Sequence, residues 1–197
     1  DTISSSLIEA IREQNDQEAI YWAHLLKNNI LSNHDNQVIV PLVPLNEIFE
    51  GFALLNTELS SILAKIAWET VKAEDFPVIM EKYGDKIISV FNNSSTVNEE
   101  VLKLCLNIIF KLGLQSGHSN YITENTIHLL IRNILSSDYS VSGLLVEHIK
   151  ALPEGIFKEM FQGPILELYS KSKHDGAVQF RFLELFYNVK HQESLLI

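Results

Sequence analysis

Helix-start signals recur along this chain at intervals of about forty residues. They are Asp16, Thr57, Thr96, Asp138 and Asp175, and each precedes a segment whose apolar residues are spaced three and four apart. Asp and Thr side chains accept hydrogen bonds from the free N–H groups at a helix start. The intervals are 41, 39, 42 and 37 residues, and each interval has room for two helices. The spacing therefore predicts helical hairpins that bury their apolar faces by stacking on one another.

Apolar residues follow the helical period over nearly the whole chain, as in Leu59, Ile62, Leu63 and Ile66. Period-two alternation, the pattern of a strand, is nearly absent. The pattern predicts helices at about 4–14, 16–32, 43–55, 57–72, 75–92, 96–115, 121–136, 139–151, 154–171 and 175–190. The one stretch rich in β-branched residues, 37–43, lies among prolines and is expected to be an extended connector.

These helices predict an all-α fold, a right-handed α-solenoid of hairpins like those of HEAT and armadillo repeats. A single solenoid domain over 1–197 would contain four to five hairpin units, the last of them incomplete. Leu195, Leu196 and Ile197 are similar to the first turn of a further helix, so the natural protein is expected to continue beyond them. A closed bundle of unrelated helices is the alternative architecture.

Composition and charge exclude several classes of protein. Apolar residues make up 46% of the chain, and Gly and Pro number only 8 and 5, which argues against disorder. A net charge of -10 argues against a nucleic-acid partner, because binding to phosphates requires clustered Lys and Arg. The most continuous apolar run, 38–45, is interrupted by prolines and is too short to span a membrane. We therefore expect a protein partner rather than nucleic acid or membrane.

Residues for catalysis or metal binding form no recognisable pattern. Cys105 is the one cysteine, so it cannot form an internal disulfide, and its apolar neighbours predict a buried structural thiol in a reducing compartment. The histidines lack the spacing of a zinc site; they are His24, His34, His118, His128, His148, His174 and His191. We therefore predict no enzyme, no metal and no cofactor, and a cytoplasmic location with the nucleus as a second possibility.

Negative charge is concentrated between positions 46 and 85, where eight acidic residues face three lysines. In a solenoid the second helices of the hairpins line an extended surface. The acidic residues on the predicted second helices are therefore the candidate partner contacts: Glu47, Glu50, Glu81 and Asp85. They would speed association with a basic surface. A solvated face that keeps the protein soluble is the alternative interpretation.

Three segments resemble the HEAT-repeat assembly chaperone of the base of the proteasome regulatory particle, a family that in yeast also carries a mismatch-repair name. The segments are Ala73–Tyr83 with its short acidic start, Leu152–Phe161, and Val178–Leu185. The lengths and connections of the predicted helices from about 57 to 190 are also similar, which is about two thirds of the chain.

The resemblance implies a non-enzymatic chaperone that holds the C-terminal domain of one proteasomal ATPase subunit while the base assembles. The family has no short functional motif, so the resemblance assigns no role to any single residue. Two alternatives stay open. One is a general HEAT-repeat adaptor of the transport-receptor or phosphatase-scaffold type, and the other is a helical domain of an enzyme whose active site lies elsewhere.

Overall fold

The computed structural model describes residues 2–32, 47, 49, 57–92, 97–172 and 175–187. Within these ranges every regular element is a helix and none is a strand, so the predicted all-α fold is confirmed. The chain divides into two compact units. Unit 1 comprises 1–72 and 97–104, and unit 2 comprises 73–96 and 105–197. The single solenoid domain over 1–197 stays a prediction.

The helices in the described ranges agree with most of the predicted positions. They are α1 (Thr2–Arg12), α2 (Asp16–Ser32), α3 (Thr57–Thr70), α4 (Phe76–Ser89), α5 (Glu99–Asn107), α6 (Glu124–Arg132), α7 (Tyr139–Lys150), α8 (Glu154–Ile156 continuing to Gln162–Lys171) and α9 (Gly176–Tyr187). Of the predicted helix at 43–55, only Glu47 and Phe49 are described, and both are helical. The predicted connector at 37–43 lies outside the described residues.

Unit 1 is built on α1, α2 and α3, each of which packs against the next in sequence. The buried stripe of α2 consists of Ala19, Ala23, Leu26 and Ile30, which are spaced four, three and four residues apart. This is the spacing of one helix face, and its two alanines allow the neighbouring helix axes to approach closely. The packing of consecutive helices confirms the predicted helical hairpins in this unit.

Unit 2 contains α4, the last part of α5, and α6 to α9. In this unit α6 packs against α8, and α9 packs against α7 and α8. The centre of its core is aromatic, since the ring centroids of Phe110 and Phe161 lie 5.7 Å apart and the His148 ring lies 5.2 Å from that of Phe110. Both phenylalanines are fully buried, so they join the chain just after α5 to α7 and α8 around one contact.

Two helices contain π-helical turns that the apolar pattern does not predict. The chain after α5 widens at Ile108–Gly113, and α8 widens at Phe157–Phe161. In α8 the wide turn comes shortly before Pro164, which has no N–H to donate to the preceding turn. The wide turn after α5 ends at Gly113, where the chain passes close to another side chain of the core.

Two helix starts confirm the predicted N-cap residues. Asp138 Oδ1 accepts a hydrogen bond from the backbone N–H of Ser140 at 3.0 Å. Asp175 Oδ1 accepts hydrogen bonds from the backbone N–H groups of Ala177 and Val178, at 3.0 and 3.2 Å. These contacts satisfy donors that the first turn of a helix cannot pair by itself.

At two other helix starts, a residue near the predicted one forms the N-cap. The side chain of Asn15, rather than Asp16, accepts from the backbone N–H three residues further on, at 3.3 Å. The side chain of Asn98 accepts from the backbone N–H of Glu100 at 2.8 Å. Thr96, the predicted cap of α5, lies outside the described residues. In both cases an asparagine one or two residues from the predicted cap has the side chain that reaches the first turn.

Candidate partner-binding surface

The predicted contact residues Glu81 and Asp85 lie on the solvent-facing side of α4. The opposite side of this helix buries Phe76, Ile79 and Ile87. Positions 81 and 85 are about one helical turn apart, so the two carboxylates share one face. Both side chains are exposed, and neither forms an ion pair or a hydrogen bond with another described residue. The structure therefore leaves both carboxylates accessible to a partner.

The same face of α4 carries an exposed apolar residue and two lysines. Val78 is 52% exposed and lies two helical turns before Asp85. Lys82 and Lys86 are also exposed, and together they balance the charge of Glu81 and Asp85. At this helix the surface is therefore a mixed face with an apolar residue among charges, which the count of acidic residues along the chain did not indicate. We call Val78, Glu81 and Asp85 the α4 face.

Glu47 belongs to unit 1, and its carboxylate already has a partner. Its Oε1 lies 2.9 Å from Nη2 of Arg12, and the Glu47 side chain is only 14% exposed. A partner could contact this carboxylate only by competing with Arg12. Glu50, the fourth predicted contact, lies outside the described residues.

A second exposed apolar surface occurs on α9. Phe180 and Leu183 are 59% and 46% exposed, whereas Val178, Phe182 and Leu185 are buried. Sequence reasoning did not single out this outer face. The sequence of α9 did contain a signal, because its apolar residues occur on all sides of the helix. Such a helix usually has more than one packed side.

Cys105 and His148 lie in packed surroundings. Burial raises the pKa of the Cys105 thiol to about 12, so the thiol stays protonated and unreactive. Burial, helped by the positive charge of Lys111, lowers the pKa of His148 to about 4. In the part of the chain that the structure describes, no group of three or more His, Cys, Asp or Glu residues could hold a metal ion.

None of the described helices is both long enough and apolar enough to cross a bilayer. Comparison with protein-family models gives no match, and comparisons with curated proteins and with solved structures give no significant match.

Proposed function

We propose that this chain is a non-enzymatic scaffold that binds another protein. The observation that carries the proposal is the α4 face, where a half-exposed Val78 lies near the exposed carboxylates of Glu81 and Asp85, neither of which pairs with another described residue. Protein interfaces combine an apolar centre with a polar rim in this way. The burial of Cys105 and His148 supports a role that depends on surfaces rather than on a reactive side chain.

We further propose that the scaffold is a cytoplasmic assembly chaperone for the base of the proteasome regulatory particle. Its partner would be the C-terminal domain of one ATPase subunit. This identification rests on the resemblance of Ala73–Tyr83, Leu152–Phe161 and Val178–Leu185 to that family. The first of these segments contains most of α4, so the resemblance and the candidate surface involve the same helix.

A stack of helical hairpins suits this task. A stable complex buries roughly 800 Å² on each partner, more than a single helix face offers. Hairpins that repeat along a chain can supply such an area as many modest contacts, without a deep pocket. Association with a basic partner would be accelerated by the charge of -10.

The test measures association of the 197-residue chain with the C-terminal domain of each proteasomal ATPase subunit in turn, at several ionic strengths. The double variant Glu81→Lys/Asp85→Lys is compared with Glu9→Lys/Glu13→Lys. The control pair is also exposed, also spaced four residues apart and changes the net charge equally, but it lies at α1. Binding to one domain, with an association rate that falls several-fold only in the α4 variant, is the expected result.

Other outcomes separate the alternatives. Equal effects of the two double variants would remove the α4 face as the contact surface. If no ATPase domain binds and a different protein is retained from a cell lysate, the general adaptor is favoured. Turnover of a small molecule by the purified chain would overturn the non-enzymatic assignment.

A further inference from the structure

Polar side chains in the described residues reach backbone carbonyls about one repeat earlier in the chain. In unit 2, Asn133 Nδ2 donates to the carbonyl oxygen of Phe91 at 3.1 Å, 42 residues earlier. Arg181 Nη1 donates to the carbonyl oxygen of Ile134 at 2.7 Å, 47 residues earlier. The first separation falls within the 37–42 residues between successive helix starts and the second is somewhat longer, and each hydrogen bond joins one hairpin to an earlier one.

Unit 1 contains a similar but more exposed link. Asn98 Nδ2 lies 3.4 Å from the carbonyl oxygen of Thr57, 41 residues earlier, and joins the start of α5 to the start of α3. Its length and exposure make it weaker than the two links of unit 2. The two buried links in unit 2 therefore constrain their hairpins more strongly.

The two links of unit 2 meet at the short 3-10 turn Asn133–Leu135 that ends α6. The Asn133 amide is 9% exposed, and it also donates to the carbonyl oxygen of Leu129 at 3.0 Å. The side-chain amide of Asn133 therefore donates both to its own helix and to Phe91, which lies just after the end of α4. Buried amides with satisfied donors hold a specific geometry, because displacement leaves a donor unpaired.

Arg181 approaches the same turn from α9 and is 8% exposed. Besides Ile134, its Nη1 donates to the carbonyl oxygen of Ser136 at 2.5 Å. These carbonyls are free to accept because the helix ends here, and a helix C-terminus carries partial negative charge. No carboxylate of the described residues lies within ion-pair distance of this guanidinium, so the carbonyls are the groups that offset its charge.

Apolar contacts alone do not determine how two helices are aligned along their axes. A shift by one turn, about 5.4 Å, can replace one set of apolar neighbours with another. A hydrogen bond is directional and is lost on such a shift. We infer that Asn133 and Arg181 determine the register of the hairpins in unit 2, with the turn Asn133–Leu135 as their common junction. This inference is independent of the proposed function.

The test measures distances between pairs of spin labels by pulsed electron resonance. Labels at exposed positions 82 and 125 report on α4 and α6, and labels at 125 and 177 report on α6 and α9. Cys105 is buried and can stay in place during labelling. The variants are Asn133→Leu, which keeps a similar volume without the amide, and Arg181→Met.

Ser142→Ala is the matched control. Ser142 is a fully buried polar residue, but its hydroxyl donates only to carbonyls of the preceding turn, those of Asp138 and Tyr139 at 3.3 and 3.4 Å. Its loss changes local stability without removing a link between hairpins. The control therefore separates the loss of a buried hydrogen bond from the loss of register.

We expect one narrow distance distribution in the wild type and in Ser142→Ala. Asn133→Leu should broaden the distribution between α4 and α6, or shift it by about 5 Å, with unchanged helix content and even with an unchanged Tm. Arg181→Met should do the same between α6 and α9. If Arg181→Met does not fold, Arg181→Lys, which keeps the charge but loses the planar donor group, takes its place. Narrow, unshifted distributions in the Asn133 and Arg181 variants would overturn the inference.

Discussion

The phenyl ring of Phe76 lies directly against the backbone of Gly113. A β-carbon built at position 113 would come within 2.7 Å of Cζ and 2.9 Å of Cε2 of this ring. The ring has little freedom to move, because Phe76 is completely buried and stacks on His118, with 5.6 Å between the ring centroids. Any residue larger than glycine at position 113 must therefore displace the start of α4 or the end of the π-helical turn.

Gly113→Ala should destabilise the protein by about 1–3 kcal/mol, the usual cost of overpacking a core. The measurement is urea-induced unfolding followed by circular dichroism. Gly155→Ala is the control, because that glycine is helical, is not followed by proline, and has no atom beyond its chain neighbours and its own helix backbone within 4 Å of an added β-carbon. We expect this control to be neutral or stabilising by about 0.5–1 kcal/mol. A similar loss in both variants would contradict the close contact with Phe76.

Asp138 should stabilise the start of α7 in a pH-dependent way. Hydrogen bonds from the Ser140 hydroxyl and then from its backbone N–H lower the pKa of the Asp138 carboxyl. A lowered pKa means that this stabilisation is complete above the ordinary Asp pKa of about 3.9 and is lost as the pH falls through the folded-state value. The Tm difference between wild type and Asp138→Asn should therefore shrink below about pH 4. Asp85→Asn is the control, because it removes an exposed carboxylate that forms no hydrogen bond with another described residue.

His148 should make the protein sensitive to mild acid. Its pKa is lowered to about 4 by burial and by Lys111, so the folded protein binds a proton less readily than the unfolded chain. Stability should therefore fall between the ordinary His pKa of about 6.5 and the folded value, by on the order of 1 kcal/mol after allowance for solvent screening. His148→Gln should remove most of this loss in urea titrations from pH 7 to 4. His128→Gln, at a half-exposed histidine, should leave it unchanged.

Cys105 should not react with thiol reagents in the folded protein. Its side chain is fully buried, and burial raises its pKa to about 12. We expect no reaction with a disulfide reagent at pH 8 under native conditions, and complete reaction in denaturing urea. A Lys82→Cys variant, exposed on α4, supplies the positive control. Rapid modification of Cys105 in the native protein would show that this core opens easily.

Features that depend on local chemistry could be predicted from the sequence. The helices follow from apolar periodicity, and Asp138 and Asp175 follow from the preference for short acceptors at helix starts. The sequence does not single out the N-cap residues of α2 and α5, because Asn15 and Asn98 lie close to other side chains that could accept the same hydrogen bonds. In such runs the sequence locates a helix start only to within a residue or two.

Features that depend on contacts between distant residues could not be predicted. Nothing in the sequence indicates that Arg12 pairs with Glu47, 35 residues later. An arginine is usually exposed, so the burial of Arg181 had no sequence signal. The lysines that balance Glu81 and Asp85 can be seen in the sequence. A charge count over a long segment, however, does not show that these lysines and the two acidic residues lie on the same helix.

The π-helical turns at Ile108–Gly113 and Phe157–Phe161 bear on how such a chain can evolve. A π-turn closes over one residue more than an α-turn, so an inserted residue is absorbed where it occurs and the rest of the helix keeps its orientation. Successive helix-start signals here are separated by unequal lengths, from 37 to 42 residues. A protein built from repeated hairpins can therefore gain or lose single residues at widened turns during evolution. The packing between neighbouring hairpins is then kept.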